Sequence, residues 1–375
     1  MQHKAVMLAP PPQPVVTNPG VAFGHLTIRV GRGTTRLDAY VDGRRVRRLR
    51  LPGRPRGVAV PLAPGRHEVR LRVAGPGGAR WTATRVVWAL PASGRRAGPI
   101  GGRVDPGLQR DLAALVAGLP AIGGVYVQHL VSGCGAGVNA GAQFPAASTL
   151  KAAILLDVER RLQGRVPPDL AGLLDQMILD SSDRAANSVL ALMGGSSGEL
   201  GAARVTETLG AMGLSRSLVR RPYIIEDARD DIPVTAEAQP ALATNFVTTP
   251  FELARLMTAV HRGALGRGPL PGIGVSPRVV RTEILPRLLG VRDRSKIVAG
   301  LPPGVLAAHK TGFTRQVKHD GGIVYLKSGP VAVAAMSWSA AGVGDAVGDR
   351  FIARVAAVAS RRLAGGGRCG RARGA

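Results

Sequence analysis

The stretch Phe144-Pro145-Ala146-Ala147-Ser148-Thr149-Leu150-Lys151 opens an apolar pattern that continues to Leu162 and predicts a helix from Ser148 to Leu162. On that helix Ser148 and Lys151, three residues apart, lie on one face within hydrogen-bonding reach. A serine hydroxyl is a weak nucleophile, and an amine that burial keeps deprotonated can take its proton. The stretch therefore predicts a nucleophilic Ser148 whose proton passes to Lys151.

Two further polar clusters follow in the chain. The first is Asp180-Ser181-Ser182-Asp183-Arg184-Ala185-Ala186-Asn187, which comes after an apolar helical run. The second is His309-Lys310-Thr311-Gly312, followed by His319-Asp320-Gly321-Gly322 at the start of a strand. From the residues alone, we interpret Asn187 as holding a loop and His319 with Asp320 as a structural pair that fixes the strand register.

In this order the clusters resemble the Ser-x-x-Lys, Ser-x-Asn and Lys-Thr-Gly elements of penicillin-binding proteins and class A β-lactamases. The likeness covers about residues 104–363 and includes Gly124-Val125-Tyr126-Val127 and Thr248-Thr249-Pro250. It implies an α/β (α+β) domain in which helices flank an antiparallel sheet. It also implies a serine hydrolase that opens β-lactam amides through an acyl-enzyme on Ser148, without metal or other cofactor.

The resemblance assigns a role to each matching residue. Ser148 becomes acylated, Lys151 relays its proton, and Ser181 passes a proton to the leaving nitrogen. Lys310 supplies positive charge beside Ser181, and the backbone N–H groups of Ser148 and Phe313 form the oxyanion hole. The substrate-binding residues that it implies are Asp183, Thr311, Gly312, Phe313 and Arg315, with Thr311 and Arg315 on the substrate carboxylate.

The chain departs from this pattern at three points. Asp183 stands where the family usually has an amide-binding Asn, so an acceptor replaces a donor and acceptor. The interval of 33 residues between Ser148 and Ser181 is short, which implies a reduced helical cap and a more open cleft. The loop before Thr248 has no Glu-x-x-Leu-Asn, and its only glutamates, Glu226 and Glu237, are the candidates for a deacylation base.

Without such a base the acyl-enzyme would persist. The alternative function is therefore a penicillin-binding D,D-peptidase that acts on D-Ala-D-Ala wall peptides, and a third is a non-catalytic envelope-binding protein. In the first two cases the partner is a small β-lactam or a peptide, and we expect a monomer.

The region before this domain alternates apolar and polar residues, as in Leu26 to Val30, Leu37 to Val41 and His67 to Val73. This period of two predicts half-buried strands, and the turn signals between them favour a small immunoglobulin-like β-sandwich. The predicted organisation is a disordered leader over 1–20, the sandwich over 21–92, a linker over 93–103, the hydrolase domain over 104–365 and a disordered tail over 366–375.

The formal net charge is +26, which favours anionic partners. Between Val21 and Pro91, fifteen arginines stand against three acidic residues, so the sandwich is a candidate for docking onto an anionic cell-wall polymer. A solvated basic surface without a partner is the alternative. Only 3% of residues are aromatic and no nucleic-acid-binding motif occurs, which argues against nucleic acid as the partner.

Cys134 and Cys369 give neither a framework of stapled loops nor metal-ligand spacing. No apolar stretch is long enough to span a bilayer, and no signal peptide is visible at the N-terminus. The implied substrates are nevertheless met outside the cytoplasmic membrane, so an extracytoplasmic location is expected.

Overall fold

The computed structural model describes residues 15–16, 20–75, 78–96, 98, 102–224, 245–367 and 369. The chain divides into two compact units between Ala92 and Ser93. None of the helices in the described part of the chain combines the length and apolar character needed to cross a bilayer.

The N-terminal unit contains strands and no helix among its described residues up to 90. Its strands are β1 (Val15–Val16), β2 (Gly20–Phe23), β3 (His25–Val30), β4 (Arg36–Val41), β5 (Arg44–Arg50), β6 (Arg56–Pro61), β7 (Gly65–Ala74) and β8 (Arg80–Leu90). They form a three-stranded sheet in the order β1-β3-β6 and a five-stranded sheet in the order β2-β8-β7-β4-β5. Alternate residues such as Leu26, Ile28, Leu37 and Leu71 point inward to one shared core, as the period of two predicts.

The C-terminal unit mixes helices and strands. Its helices are α1 (Pro106–Ala117), α2 (Lys151–Leu162), α3 (Pro168–Leu179), α4 (Asp183–Met193), α5 (Gly198–Ala211), α6 (Pro250–Ala264), α7 (Pro269–Gly272), α8 (Pro277–Val279), α9 (Leu285–Leu289) and α10 (Asp345–Leu363). Its strands are β9 (Arg103–Val104), β10 (Ile122–His129), β11 (Cys134–Val138), β12 (Phe144–Pro145), β13 (Leu218–Val219), β14 (Phe246–Thr248), β15 (Leu306–Phe313), β16 (Val317–Tyr325) and β17 (Pro330–Trp338).

A six-stranded sheet in the order β15-β16-β17-β10-β11-β9 is the frame of this unit, and all its pairs are antiparallel except β11 with β9. Helices α1 and α10 cover one face, where Leu112 and Phe351 share a core with Val127 and Val333. Helix α6 packs on β16, close enough that a Cβ at Gly321 would meet Leu253 at 2.5 Å. All nine residues of β16 are buried, as expected of a strand covered on both faces.

The predicted fold class is confirmed: helices flank an antiparallel-rich sheet, and a strand-only region precedes them. The immunoglobulin-like topology and the exact domain limits stay predictions. Within the predicted linker, Ala92–Arg95 forms a 3₁₀ turn and Arg103–Val104 is strand β9.

Three local predictions were wrong. The predicted helix from Ser148 to Leu162 starts instead as a 3₁₀ turn over Ala147–Leu150, and the α-helix begins at Lys151. The two cysteines were interpreted as giving no framework of stapled loops, yet Cys134 and Cys369 form a disulfide. Cys369 belongs to the predicted tail over 366–375, so the disulfide ties this residue to strand β11. Residues 368 and 370–375 of the tail lie outside the described part of the chain. Of the predicted leader, only residues 15–16 and 20 are described.

The third correction concerns the pair His319 and Asp320. Asp320 accepts hydrogen bonds from the His309 ring and the Ile297 N–H, at 3.0 and 3.1 Å. His319 instead donates from Nε2 to the Pro145 carbonyl oxygen at 2.7 Å, while its Nδ1 accepts from the Ser337 N–H. The two neighbours point to opposite faces of β16 because side chains alternate along a strand, so they cannot pair with each other.

Candidate active site

Ser148 lies in a tight turn between β12 and α2. Ala147 has a positive φ of 47°, and Thr149 closes the turn by donating to the Ala146 carbonyl oxygen from its N–H at 3.2 Å and its hydroxyl at 2.7 Å. The Ser148 side chain is half-buried, whereas Thr149 and Leu150 are buried. The turn thus anchors the residues on either side and leaves the serine accessible.

Lys151, one turn later, is completely buried. Its Nζ donates to the Ser181 carbonyl oxygen at 2.5 Å and forms an ion pair with Asp183. It also lies 4.7 Å from the centre of the Tyr223 ring. Burial lowers the pKa of Lys151, and the Asp183 carboxylate opposes that shift. The environment therefore moves this amine towards the neutral form that can accept a proton.

Ser181 lies in the break between α3 and α4 and has a positive φ of 61°. The next residue, Ser182, caps α4 by accepting from the Ala185 N–H at 3.2 Å, and its own N–H donates to the Gln176 carbonyl oxygen. Both flanking helices are thereby tied down around Ser181. The left-handed conformation of a non-glycine residue is sparsely populated and is often found at functional sites.

Lys310, on the edge strand β15, is completely buried. Its Nζ donates to the Ser181 hydroxyl and to the Thr311 carbonyl oxygen, both at 2.8 Å. Burial and the positive charge of Lys151 lower the pKa of Lys310 to about 7. Ser181 thus connects the two amines, with its carbonyl oxygen on Lys151 and its hydroxyl on Lys310.

Gly312 allows β15 to lie directly against the serine turn. A Cβ at this position would come within 2.9 Å of the Thr149 nitrogen and 3.0 Å of the Ala146 oxygen, both backbone atoms of that turn. Real Cβ atoms essentially never approach so closely, so any larger residue would push the strand away from Ser148. The glycine therefore sets the width of the site.

A cleft of about 390 Å³ opens along this edge. It is lined by Ser181, Lys310, Thr311 and Phe313, together with Leu179, Asp180, Val291, Arg292, Asp293, Lys296, Lys318, Asp345 and Asp349. The Oγ1 of Thr311 is buried and has no hydrogen-bond partner within the described ranges. A buried hydroxyl without a partner is costly, and an anionic ligand in the cleft would satisfy it.

The family model described as "Beta-lactamase enzyme family" matches residues 164–363, which is more than half of the chain. The chain belongs to the beta-lactamase enzyme family. No curated protein matches it.

Solved structures agree on the fold. PBP-A is 25% identical with a TM-score of 0.56, and the match covers 70% of this chain and 97% of PBP-A. A PBP-A mutant solved as an acyl-enzyme complex with penicillin G is 24% identical, with a TM-score of 0.56 and coverage of 70% and 98%. A beta lactamase from Xanthomonas campestris pv. campestris is 20% identical, with a TM-score of 0.55 and coverage of 68% and 97%.

Most of the residues predicted from the sequence lie together in this family member. Lys151, Ser181, Asp183 and Lys310 are in direct contact, as described above. Phe313 ends β15, and its exposed ring lies between two amines, with Lys296 Nζ at 5.4 Å and Lys318 Nζ at 5.1 Å from its centre.

Arg315 is not brought to the cleft. It is exposed in the turn between β15 and β16, where its carbonyl oxygen accepts from the Val343 N–H at 3.0 Å and its side chain lies beside Gly342. Arg292, which the sequence analysis did not single out, is the arginine that lines the cleft, paired with Asp180. Its position depends on the packing of segments that are far apart in the sequence, so nothing in the sequence around Arg292 predicts it.

Glu226 and Glu237, the candidate deacylation bases, lie outside the described residues. Tyr223, just before them, was missed by the sequence analysis although it borders the site. Its hydroxyl donates to the Ala147 carbonyl oxygen at 3.3 Å, and its ring stacks on Phe246. Asn187 holds it, accepting from the Tyr223 N–H at 2.6 Å and donating to its carbonyl oxygen at 2.8 Å. Asn187 therefore holds a loop, as interpreted from the sequence.

Proposed function

We propose that this protein is a class A type serine hydrolase that opens β-lactam amides through a covalent acyl-enzyme on Ser148. The observation that carries the proposal is the connection of two buried amines through Ser181, beside the serine turn. Lys151 offers a proton acceptor for the nucleophile, and the Ser181 hydroxyl, which Lys310 holds, offers a proton donor for the leaving group.

In acylation, the Ser148 oxygen bonds to the carbonyl carbon of the substrate while its proton moves to the neutral amine of Lys151. The backbone N–H groups of Ser148 and Phe313 stabilise the oxyanion. When the carbon–nitrogen bond breaks, the Ser181 hydroxyl gives its proton to the nitrogen. Lys310, which donates to that hydroxyl, replaces its proton and becomes neutral. The proton that Lys151 took from Ser148 then passes to Lys310, so that both amines regain their starting states.

The substrate carboxylate belongs beside Lys310 and Thr311. Lys310 in its protonated form offers positive charge, and the unpartnered Thr311 hydroxyl offers a hydrogen bond. Because the pKa of Lys310 is about 7, we expect binding of anionic substrates to weaken as the pH rises through about 7.

A D,D-peptidase acting on D-Ala-D-Ala peptides is the second candidate. It is favoured by the absence of a Glu-x-x-Leu-Asn sequence before Thr248 and by the likeness to PBP-A. Both functions share the acylation step and differ in how fast water removes the acyl group. Glu226→Gln and Glu237→Gln test whether either glutamate is the deacylation base, because loss of that base would lengthen the lifetime of the acyl-enzyme.

Intact-protein mass spectrometry after mixing with penicillin G tests the proposal. We expect an adduct of the mass of the antibiotic that forms and then disappears, and no adduct on Ser148→Ala. Ser188→Ala, which removes an exposed serine from α4, is the matched control and should react normally. A persistent adduct would favour the peptidase, and the absence of any adduct on the wild type would contradict both.

We further propose that the protein acts outside the cytoplasmic membrane, where these substrates are found. The disulfide between Cys134 and Cys369 supports this location because such bonds persist in oxidising compartments. Fractionation of cells that express the full chain tests it, and recovery only in the cytosol with both thiols reduced would contradict it.

A further inference from the structure

The outer face of the five-stranded sheet in the N-terminal unit carries a group of arginines in register. Along β4, Leu37 and Ala39 point into the core, so the residues between them point outward. The register of β5, β4, β7 and β8 brings the outward residues of all four strands into adjacent rows. We call the following six residues the arginine face: Arg36, Arg48, Arg50, Arg70, Arg72 and Arg80.

Four of the six side chains of the arginine face are held in place by contacts within the sheet. Arg36 and Arg48 both pair with Asp38, at 2.8 and 2.9 Å. Arg70 and Arg72 lie over the Tyr40 ring, at 5.1 and 5.2 Å from its centre. Guanidinium groups fixed in this way lose less conformational entropy when they bind a ligand.

The arginine face has unused hydrogen-bonding capacity. Among the described residues, Asp38 is paired in register with Arg48 and Arg72. Glu68 lies on the same side of β7 as Arg70, so two carboxylates stand beside six guanidinium groups. The Nε–H of Arg70 is buried and meets no acceptor among the described residues. Between the side chains runs a groove of about 450 Å³, lined by Arg36, Asp38, Tyr40, Arg48, Arg72 and Arg80. An anion in this groove would contact the guanidinium groups that line it.

We propose that the arginine face binds a linear phosphodiester polymer without bases, of the polyol-phosphate kind found in cell envelopes. The planar fork of arginine matches phosphate oxygens in pairs, and arginines recur along and across the strands as phosphates recur along such a chain. This assignment concerns the N-terminal unit alone and does not depend on catalysis by Ser148.

Two other anionic partners fit this surface less well. Single-stranded nucleic acid needs aromatic faces on which bases stack, but Arg70 and Arg72 occupy the Tyr40 ring. Trp81, the other aromatic residue that lines the groove, packs against the core of the unit. A bilayer surface needs exposed large apolar side chains, and Val46 and Val86 are the only ones in the described part of this unit.

Binding of the full-length protein to poly(glycerol phosphate) over a salt series tests the proposal. Log affinity falls as log salt rises, and each lost phosphate contact makes this slope shallower by about 0.7. Below, a lower slope means a shallower one. The triple variant Arg50→Gln, Arg72→Gln, Arg80→Gln should therefore lower the slope by about 2. The matched control Arg29→Gln, Arg54→Gln, Arg56→Gln removes the same charge outside the arginine face and should keep the slope close to that of the wild type.

Three results would overturn the proposal. One is an unchanged slope in the first triple variant, and another is an equal loss in both triple variants, which would mean that net charge alone binds. The third is tighter binding to single-stranded DNA of matched phosphate number or to phosphatidylglycerol vesicles. If the triple variant fails to fold, Arg80→Gln alone should still lower the slope by about 0.7.

Discussion

Asp183 is one of the points at which this site departs from the pattern that its motifs resemble. Its carboxylate pairs with Lys151, the amine that must be neutral to accept the Ser148 proton. A negative charge in direct contact with an amine stabilises its protonated form, so Asp183 opposes the lowering of the Lys151 pKa by burial. The balance between the two effects sets the lowest pH at which acylation runs.

Asp183→Asn should therefore move the acidic limb of the acylation rate to lower pH. Without the carboxylate the pKa of Lys151 falls further, and we expect a shift of about 1 to 2 pH units. The rate of adduct formation with penicillin G, followed across pH, measures the shift. Asp169→Asn removes an exposed carboxylate on α3 and should leave the limb in place. A limb that stays fixed or moves to higher pH in Asp183→Asn would refute this role.

Glu159 is a second buried ionisable residue, and it affects stability. Its side chain on α2 is fully buried, and burial, reinforced by the nearby Glu283, raises its pKa to about 7, although Arg287 opposes the shift. The folded state thus prefers the protonated acid. The contribution of this carboxyl group to the free energy of unfolding is fully present below its unfolded pKa of about 4.5, and it is lost as the pH rises through 7.

Glu159→Gln should consequently be more stable than the wild type at about pH 8, by about 1 to 3 kcal/mol. The advantage should vanish near pH 4.5, where the wild-type acid is also neutral. Urea unfolding at the two pH values measures both differences. Glu207→Gln, at a mostly exposed position, is the control and should show no such pH dependence. Equal stability of Glu159→Gln and wild type at the higher pH would contradict the argument.

At the scale of elements, the approach of β15 to the serine turn decides the geometry of the site. Gly312→Ala places a methyl group against two backbone atoms that cannot rotate away. We expect acylation to slow roughly 10- to 100-fold, because a displacement of about 1 Å has such effects. Stability should fall by only about 1 to 3 kcal/mol.

The rate of adduct formation and thermal unfolding together measure these two effects. Gly344→Ala is the matched control, because a Cβ there meets no atom within 4 Å. Its rate and stability should be close to those of the wild type. A Gly312→Ala variant that acylates at the normal rate would show that the close approach is not needed.

Elements with a clear periodicity were predictable from the sequence. The alternation of apolar residues predicts β3, β4 and β7, and Pro250 at the start of an apolar helical pattern predicts α6. Strand β5 has the sequence Arg44-Arg-Val-Arg-Arg-Leu-Arg50 and lies at the edge of its sheet. Its residues are exposed or half-buried, so the alternation of apolar and polar residues that predicts a strand is incomplete. The 3₁₀ turn over Ala147–Leu150 was not predictable from the apolar pattern, which continues through it into α2.

In the candidate site, too, residues in local motifs were predictable, and residues placed by contacts between distant segments were not. Ser148, Lys151, Ser181 and Lys310 lie in short motifs that can be recognised in order, and three of them are in direct contact. Tyr223 lies in a loop and borders the site, where Asn187 of α4 holds its backbone. Contacts that join segments so far apart depend on tertiary packing, which leaves no periodicity in either segment.

For the whole molecule, one covalent bond joins distant parts of the C-terminal unit. Cys134 lies on β11 and Cys369 beyond α10, at a sequence separation of 235 residues. The same ends are also joined by hydrogen bonds, from the Ser132 hydroxyl to the Gly366 carbonyl oxygen and from the Ser328 hydroxyl to the Leu363 carbonyl oxygen. A crosslink that closes a long loop restricts the unfolded chain strongly, while the native contacts remain when it is absent.

Cys369→Ser should therefore fold with the same active site but unfold more easily, with a loss of about 2 to 4 kcal/mol. Calorimetry with and without reductant measures it: reductant should lower the Tm of the wild type to that of the variant and leave the variant unchanged. The penicillin G adduct should form equally in both proteins, because neither cysteine lines the cleft around Ser181 and Lys310. A wild type insensitive to reductant would show that the bond does not form or does not restrict unfolding, and would also remove the support it gives to an oxidising location.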